Sequence, residues 1–278
     1  MYSSNKRYLA ATLLLLFTAL PFGGSLVFAA CYASGIIGGL RTGSTFSHWQ
    51  AVLQDAAVWQ SFGLSAGIAT VVTGLSVGLA LQAVRYFGQA APTPFLRFLL
   101  PLPLSMPPLV AAFWGFQLFA NTGLLARAAY QLGIIGDSQQ FFSLINEPYH
   151  LGIIALLVLP NTFVFWLLFW QFYLSENVAA LANTAQTLGA TTQQIRRRII
   201  APLLLWRAQS VIMLQWIFAF GSFEIPLLLG VQSPRMVSVL IHHRFSKYDL
   251  LALPQAYAIA VLYMALVLIV VLALPSQR

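Results

Sequence analysis

Six windows of about 20 predominantly apolar residues follow one another along the chain, over approximately 8–34, 59–84, 98–120, 151–174, 203–230 and 251–274, with polar segments between them. A helix of about 20 residues rises about 30 Å, which matches the hydrocarbon thickness of a bilayer. The pattern therefore predicts an all-α, polytopic membrane protein with six transmembrane helices in a single domain spanning 1–278. An even number of spans places both termini on one side.

The windows differ in kind. The first begins with Lys6 and Arg7, continues through leucines and reaches VFAAC at 27–31, which imitates a cleaved signal peptide. Its apolar stretch exceeds the roughly 7–15 residues of a signal core, so a retained helix is expected. In the second window Gly63, Gly67, Gly74 and Gly78 fall near one helical stripe, a pattern that lets another backbone approach closely. The third contains LPLPLSMPPLV, whose prolines at 101, 103, 107 and 108 remove amide donors and must bend or break the helix. Helices interrupted in this way commonly line a cavity.

The segment SENVAALANTAQTLGATTQQIRRRIIAPLL, residues 175–204, is among the most polar long stretches of the chain. Good helix formers run from Val178 to Leu188 and stop at Gly189. A second run, from Thr192 to Ile200, stops at Pro202. This predicts a short helix, a turn and a second helix that leads back into the membrane. A basic amphipathic loop resting on lipid headgroups has a similar composition.

Composition strengthens the membrane reading: of 278 residues 59% are hydrophobic and only 7% charged. A soluble surface needs roughly a quarter of residues charged. The net charge of +8 does not imply nucleic acid, because most of the 14 basic residues lie between apolar runs. Nine of them (Lys6, Arg7, Arg85, Arg97, Arg196, Arg197, Arg198, Arg207 and Arg278) fall on one side and five on the other (Arg41, Arg127, Arg235, Arg244 and Lys247). Lys and Arg are retained in the cytoplasm, so both termini and the 175–202 loop are expected there. Cys31 is the only cysteine, which excludes an intrachain disulfide and a cysteine-rich metal site.

With ANTAQTLGA and its Arg-rich continuation read in place, the chain resembles the permease subunits of type I ATP-binding-cassette (ABC) importers. Their cytoplasmic EAA loop precedes the fifth of six core helices. Ala185, Thr187, Leu188, Gly189 and Ala190 match that motif in register, and Pro202 falls at the expected distance beyond Gly189. Asn183 stands where the motif has its glutamate, Thr184 replaces the first alanine of the pair, and Ala201 replaces the leucine before the proline. A charge-assisted contact is thus exchanged for a neutral amide. LPLPLSMPPLVAAFWGFQLFANTGLL and FGSFEIPLLLG extend the similarity to other spans.

The resemblance implies the type I ABC importer permease fold and residence in a bacterial inner membrane. It also implies partners: two ABC ATPase subunits, a second permease that is identical or paralogous, and a periplasmic solute-binding protein. Asn183, Thr184, Ala185, Thr187, Leu188, Gly189, Ala190, Gln194 and Pro202 would form the ATPase-coupling site. ATP and Mg would be bound by the ATPase subunits, with no cofactor in this chain. The sequence agrees, since a P-loop requires GxxxxGK[ST] and the only lysines, Lys6 and Lys247, follow Asn5 and Ser246.

Glu224 is the one carboxylate deep in an apolar run, and Pro226 follows it closely. Ionisable groups inside a bilayer generally face a cavity or a partner. The reading is either a translocation path bordered by Glu224, Phe220 and Pro107, or a structural role in which Glu224 bonds neighbouring helix ends. The similarity of FGSFEIPLLLG and DLLALPQAYAIA to spermidine and putrescine permeases favours a polyamine-like cation, although permeases for iron, thiamine, sulfate and aminophosphonates share much of the pattern.

His242 and His243 in LIHHRFSKYDLL are adjacent, do not share a helical face and lack a carboxylate pair, so no metal site is expected there. That segment is expected to be a loop contacting the solute-binding protein. Trp49, Trp59, Trp170 and Tyr173 suit interfacial anchors in contact with membrane lipid. No nucleophile, base and acid recur together, so hydrolase chemistry is not expected. A secondary transporter or channel is the alternative, and it would need ion-coupling carboxylates or an inverted repeat. Glu224 alone meets the first requirement, and no repeat is evident. A membrane scaffold would not need the coupling-loop spacing.

Overall fold

A computed structural model describes residues 2–38, 45–87, 98, 101–137, 140–247, 249–250 and 252–273. Among them there is no strand, and the helices follow in the order α1 (Tyr2–Ala33), α2 (Ser47–Gln54), α3 (Ala56–Phe87), α4 (Leu102–Ser105), α5 (Pro108–Phe119), α6 (Leu124–Gln131) and α7 (Leu151–Ser175). The chain continues through α8 (Val178–Thr187), α9 (Thr192–Ile195), a π-helical turn (Arg196–Ile200), α10 (Ala201–Phe220), α11 (Glu224–Leu229), α12 (Val237–Phe245) and α13 (Ala252–Leu272). Among the described residues six stretches are long and apolar enough to cross a membrane: Leu14–Ala33, Ala56–Phe87, Pro108–Gln131, Leu151–Ser175, Thr192–Leu229 and Ala252–Leu272.

Two spans differ from the sequence expectation. Among the described residues the third starts at Pro108, after Met106 and Pro107, which are extended with ψ of 122° and 139°; of the expected start near residue 98, residues 99–100 lie outside the described ones. Pro108 then occupies the first helical turn, where a missing N–H leaves no intrahelical bond unmade. The fifth begins at Thr192 and not at 203, so Pro202 does not stop the second loop helix. The Ala201 N–H reaches back to the Arg196 carbonyl, five residues away, and Pro202 lies in the first turn of α10. The wider turn accommodates a residue that can neither donate its own bond nor tolerate a close carbonyl four residues earlier.

The chain divides into two compact units, 1–60 with 240–269 and 61–239 with 270–278. In the first, Tyr257 of α13 is surrounded by Tyr32 (ring centroids 4.4 Å apart), Phe245 (4.9 Å, edge-on) and Phe28 (5.9 Å). Arg244 pairs with Asp55 and donates a 2.6 Å bond to Gln255. The stretch around His242 and His243 is thus helical, within α12, and not the loop expected for it. Arg244 is held within the unit.

The second unit carries the polar loop and Glu224. Its α3 buries Ser61, Ser65, Ala69, Val72, Ser76 and Ala80. The four glycines lie on the opposite side of the helix, and an added Cβ at any of them would meet nothing within 4 Å. Within the described chain no backbone uses the close approach that this stripe permits. The buried serines have work of their own, since Ser65 Oγ accepts the Val237 N–H at 2.8 Å and Ser76 Oγ donates to the Val158 carbonyl at 3.2 Å. Both bonds satisfy groups that would otherwise be costly to bury.

Candidate coupling loop and intramembrane carboxylate

Local chemistry builds the loop. After α7 the chain turns at Asn177, in the left-handed region (φ 47°), which Asn tolerates better than branched residues. Val178 is then fully buried in an apolar cluster with Phe169, Tyr173, Leu204 and Ala208. Helix α8 ends in a Schellman arrangement: Gly189 N–H donates to the Gln186 carbonyl (2.9 Å) and Ala190 N–H to the Ala185 carbonyl (3.0 Å). Gly189 has φ +85°, a conformation that disfavours a side chain. The next helix opens with a capping box, in which Thr191 Oγ1 accepts the Gln194 N–H (3.3 Å) and Gln194 Oε1 accepts the Thr191 N–H (2.8 Å).

The loop is pinned at two points. Val178 anchors its beginning and Ile195, 3% exposed, its end. An ion pair of 2.8 Å between Glu176 and Arg207 joins the loop entrance to α10. Between the anchors Asn183, Thr184, Thr187, Gly189 and Gln194 are exposed, Ala185 and Ala190 are half-buried, and Leu188 stands 83% exposed at the tip. Pro202 is also exposed. The proposed coupling residues from 183 to 194 are therefore mostly exposed along one continuous stretch, and Pro202 lies beyond it in the first turn of α10. Val178, Ile195 and the Thr191–Gln194 pair were not singled out from sequence. The Thr-x-x-Gln spacing ahead of an apolar run was a readable signal for the cap; the two anchors required the packing.

Glu224 lies at the start of α11, where the fifth span is broken. Helix α10 ends at Phe220, residues 221–223 are non-helical, and Glu224 opens a new helix with Pro226 in its first turn. Carboxylates are favoured at that end of a helix dipole. Helix α11 packs on α5 and α7. The far ends of α5 and α11 meet one segment: Ser143 Oγ donates to the Phe119 carbonyl (3.1 Å), and Asn146 N–H donates to the Leu229 carbonyl (2.9 Å). At 1.5 Å per residue Glu224 stands roughly 7.5 Å from that end along its helix, and Pro107 roughly 18 Å along its own.

Pro107 is exposed. Phe220 is fully buried, stacked on Trp216 (5.2 Å) and near Phe62 (6.2 Å), so its ring fills the core. Glu224 is half-buried and forms no ion pair among the described residues. No group of three or more His, Cys, Asp or Glu able to hold a metal occurs among them either.

No family model matches the chain. It is 26% identical over 216 residues to the probable ABC transporter permease protein y4fN of Sinorhizobium fredii, an overlap covering 77% of this chain and 35% of that protein. The chain thus spans about a third of the length of the curated relative it matches. Among solved structures it aligns with a bacterial ABC transporter involved in importing the acidic polysaccharide alginate, with TM-score 0.65 and 17% identity over 98% of this chain and 93% of that one. The chain has the fold of an ABC importer permease. A second structure, of the bacterial alginate ABC transporter in complex with an alginate pentasaccharide-bound periplasmic protein, aligns with TM-score 0.61 and 16% identity over 98% and 94% of the two chains.

Proposed function

We propose that the chain is a transmembrane permease subunit of a bacterial ATP-driven importer, coupled to separate ATPase subunits through residues 183–194. The observation that carries this reading is the exposed helix–turn–helix, with Val178 and Ile195 buried at its two ends and Leu188 exposed at its turn. An apolar side chain so placed outside the membrane span suits a groove on a partner. Force applied to α8 would reach α7, on which it packs, through the apolar cluster that Val178 shares with Phe169, Tyr173 and Leu204. ATP and Mg would act in the two ATPase subunits, and alternating access would proceed between this chain and a second permease.

The nine-to-five distribution of basic residues supports a multi-pass protein of the inner membrane with cytoplasmic termini. A periplasmic binding protein would deliver a small solute. The half-buried carboxylate of Glu224, which forms no ion pair among the described residues, favours a cation, of the polyamine-like class that the sequence pattern suggested. The deciding experiment places a photo-crosslinking amino acid at Leu188 in the full chain in its native membrane. Capture of a P-loop ATPase is expected. Capture of lipid alone would return the loop to a headgroup-resting segment.

A further inference from the structure

A cavity of about 300 Å³ opens beside the root of the loop, where the end of α3, the end of α7 and the π-helical turn converge. Its walls combine Leu81, Val84 and Ile200 with the guanidinium-bearing residues Arg85, Arg196 and Arg197. The basic residues arrive from elements far apart in sequence, and none of the three forms an ion pair among the described residues. Only one of the chain's six acidic residues, Glu176, borders this loop, and it is already paired with Arg207. Gln82 Oε1 accepts a 3.2 Å bond from Arg85 but supplies no compensating charge. The π turn contributes as well, since its wider spiral separates consecutive residues by a smaller angle and lets both Arg196 and Arg197 border one cavity.

We propose that this cavity binds the headgroup of an acidic phospholipid, with the phosphate among Arg85, Arg196 and Arg197 and an acyl chain along Leu81, Val84 and Ile200. Guanidinium groups present planar paired donors that suit a phosphate, and basic pockets between transmembrane helices hold anionic headgroups. A free inorganic anion would use the arginines and leave the apolar wall unoccupied. An amphiphile uses both. The site adjoins the turn that connects the loop to α10, so its occupancy would stiffen the link through which the loop moves the bundle.

The test uses the full chain in neutral detergent, titrated with dioctanoyl phosphatidylglycerol, dioctanoyl phosphatidylcholine or inorganic phosphate and followed by native mass spectrometry. Phosphatidylglycerol should be retained preferentially, with the preference falling about five-fold for each cavity arginine removed in Arg85→Gln and Arg196→Gln. Arg198→Gln, in the same basic run but outside the cavity lining, should keep the preference. If the variant combining Arg85→Gln with Arg196→Gln is not monodisperse, Arg196→Gln alone carries the measurement. Equal loss in Arg198→Gln and Arg196→Gln would overturn the proposal in favour of a diffuse basic surface. Displacement of the lipid by inorganic phosphate at comparable concentration would overturn it in favour of a free-anion site.

Discussion

The loop over 176–202 and the break over 221–223 both interrupt long apolar runs, but they are stabilised over different distances. In the loop, the end of α8 and the start of α9 are closed by hydrogen bonds between residues no more than five apart, through Gly189, Ala190, Thr191 and Gln194. Around the break the partners are remote: Ser238 Oγ donates to the Ser222 carbonyl, Asn146 N–H donates to the Leu229 carbonyl, and α11 rests on α5 and α7. A locally closed element can move as a body on two anchors. A segment whose backbone groups depend on distant elements cannot shift without breaking them.

The largest effect should come from the turn on which the first region depends. Gly189→Val places a branched side chain at φ +85°, with strain of about 1–3 kcal/mol but no steric neighbour. If the loop is the ATPase contact, solute-stimulated hydrolysis should fall about ten-fold or more, roughly 1.4 kcal/mol of coupling, while the transmembrane bundle still assembles. Subunit association, stimulation and transport are measured together. Wild-type values for all three would remove the loop from the coupling role.

Glu224→Gln probes the second region and should reduce uptake in reconstituted vesicles several-fold, roughly the value of one charge-assisted contact of 1.5–3 kcal/mol weakened to a neutral one. Thermal stability should change little, because no ion pair is lost. A large stability loss with unchanged transport would instead assign Glu224 to holding the helix break.

Val178→Ala tests whether the loop is anchored as the packing indicates. Truncating a fully buried valine should cost about 1–3 kcal/mol, seen as faster hydrogen exchange across 178–195, with 221–230 unaffected. Equal loosening of both regions would mean that they are not independent.

The smallest effect concerns the segment supporting α11. Glu147 accepts N–H bonds from Tyr149 (2.9 Å) and Leu151, capping α7, and buried His150 leaves Nδ1 without a hydrogen-bond partner among the described residues. Desolvation lowers the His150 pKa from its usual 6.5, partly opposed by Glu147. The unfolded chain then binds a proton that the folded chain does not, so stability is full above pH 6.5 and declines as pH falls toward the folded value. Thermal midpoints between about pH 8 and 5.5 should show this slope, and His150→Asn, which tolerates the left-handed φ of 56°, should flatten it. An unchanged slope in that variant would exclude His150 as its source.

Hydropathy read the six spans correctly because each is a continuous apolar stretch, a property of single segments that packing does not alter. It misplaced two starts. Local windows averaged across Pro107 and Pro108, and Pro202 read as a stop because the π turn that accommodates it has no simple residue signature. Gly189 was legible as a turn since only glycine adopts its backbone conformation without strain. The glycine stripe of α3 was legible as small, but not its direction, since the neighbours decide which face is covered.

The sequence by itself determined the membrane class, the number of spans and the helix–turn–helix form of the loop, because hydrophobic length, glycine conformation and capping act over a few residues. Tertiary structure alone decided that Val178 and Ile195 anchor the loop, that Phe220 fills the core while Glu224 is only half-buried, and that Arg85 joins Arg196 and Arg197 around one cavity. Those facts depend on contacts between residues far apart in the chain, and their geometry exists only after the helices have packed.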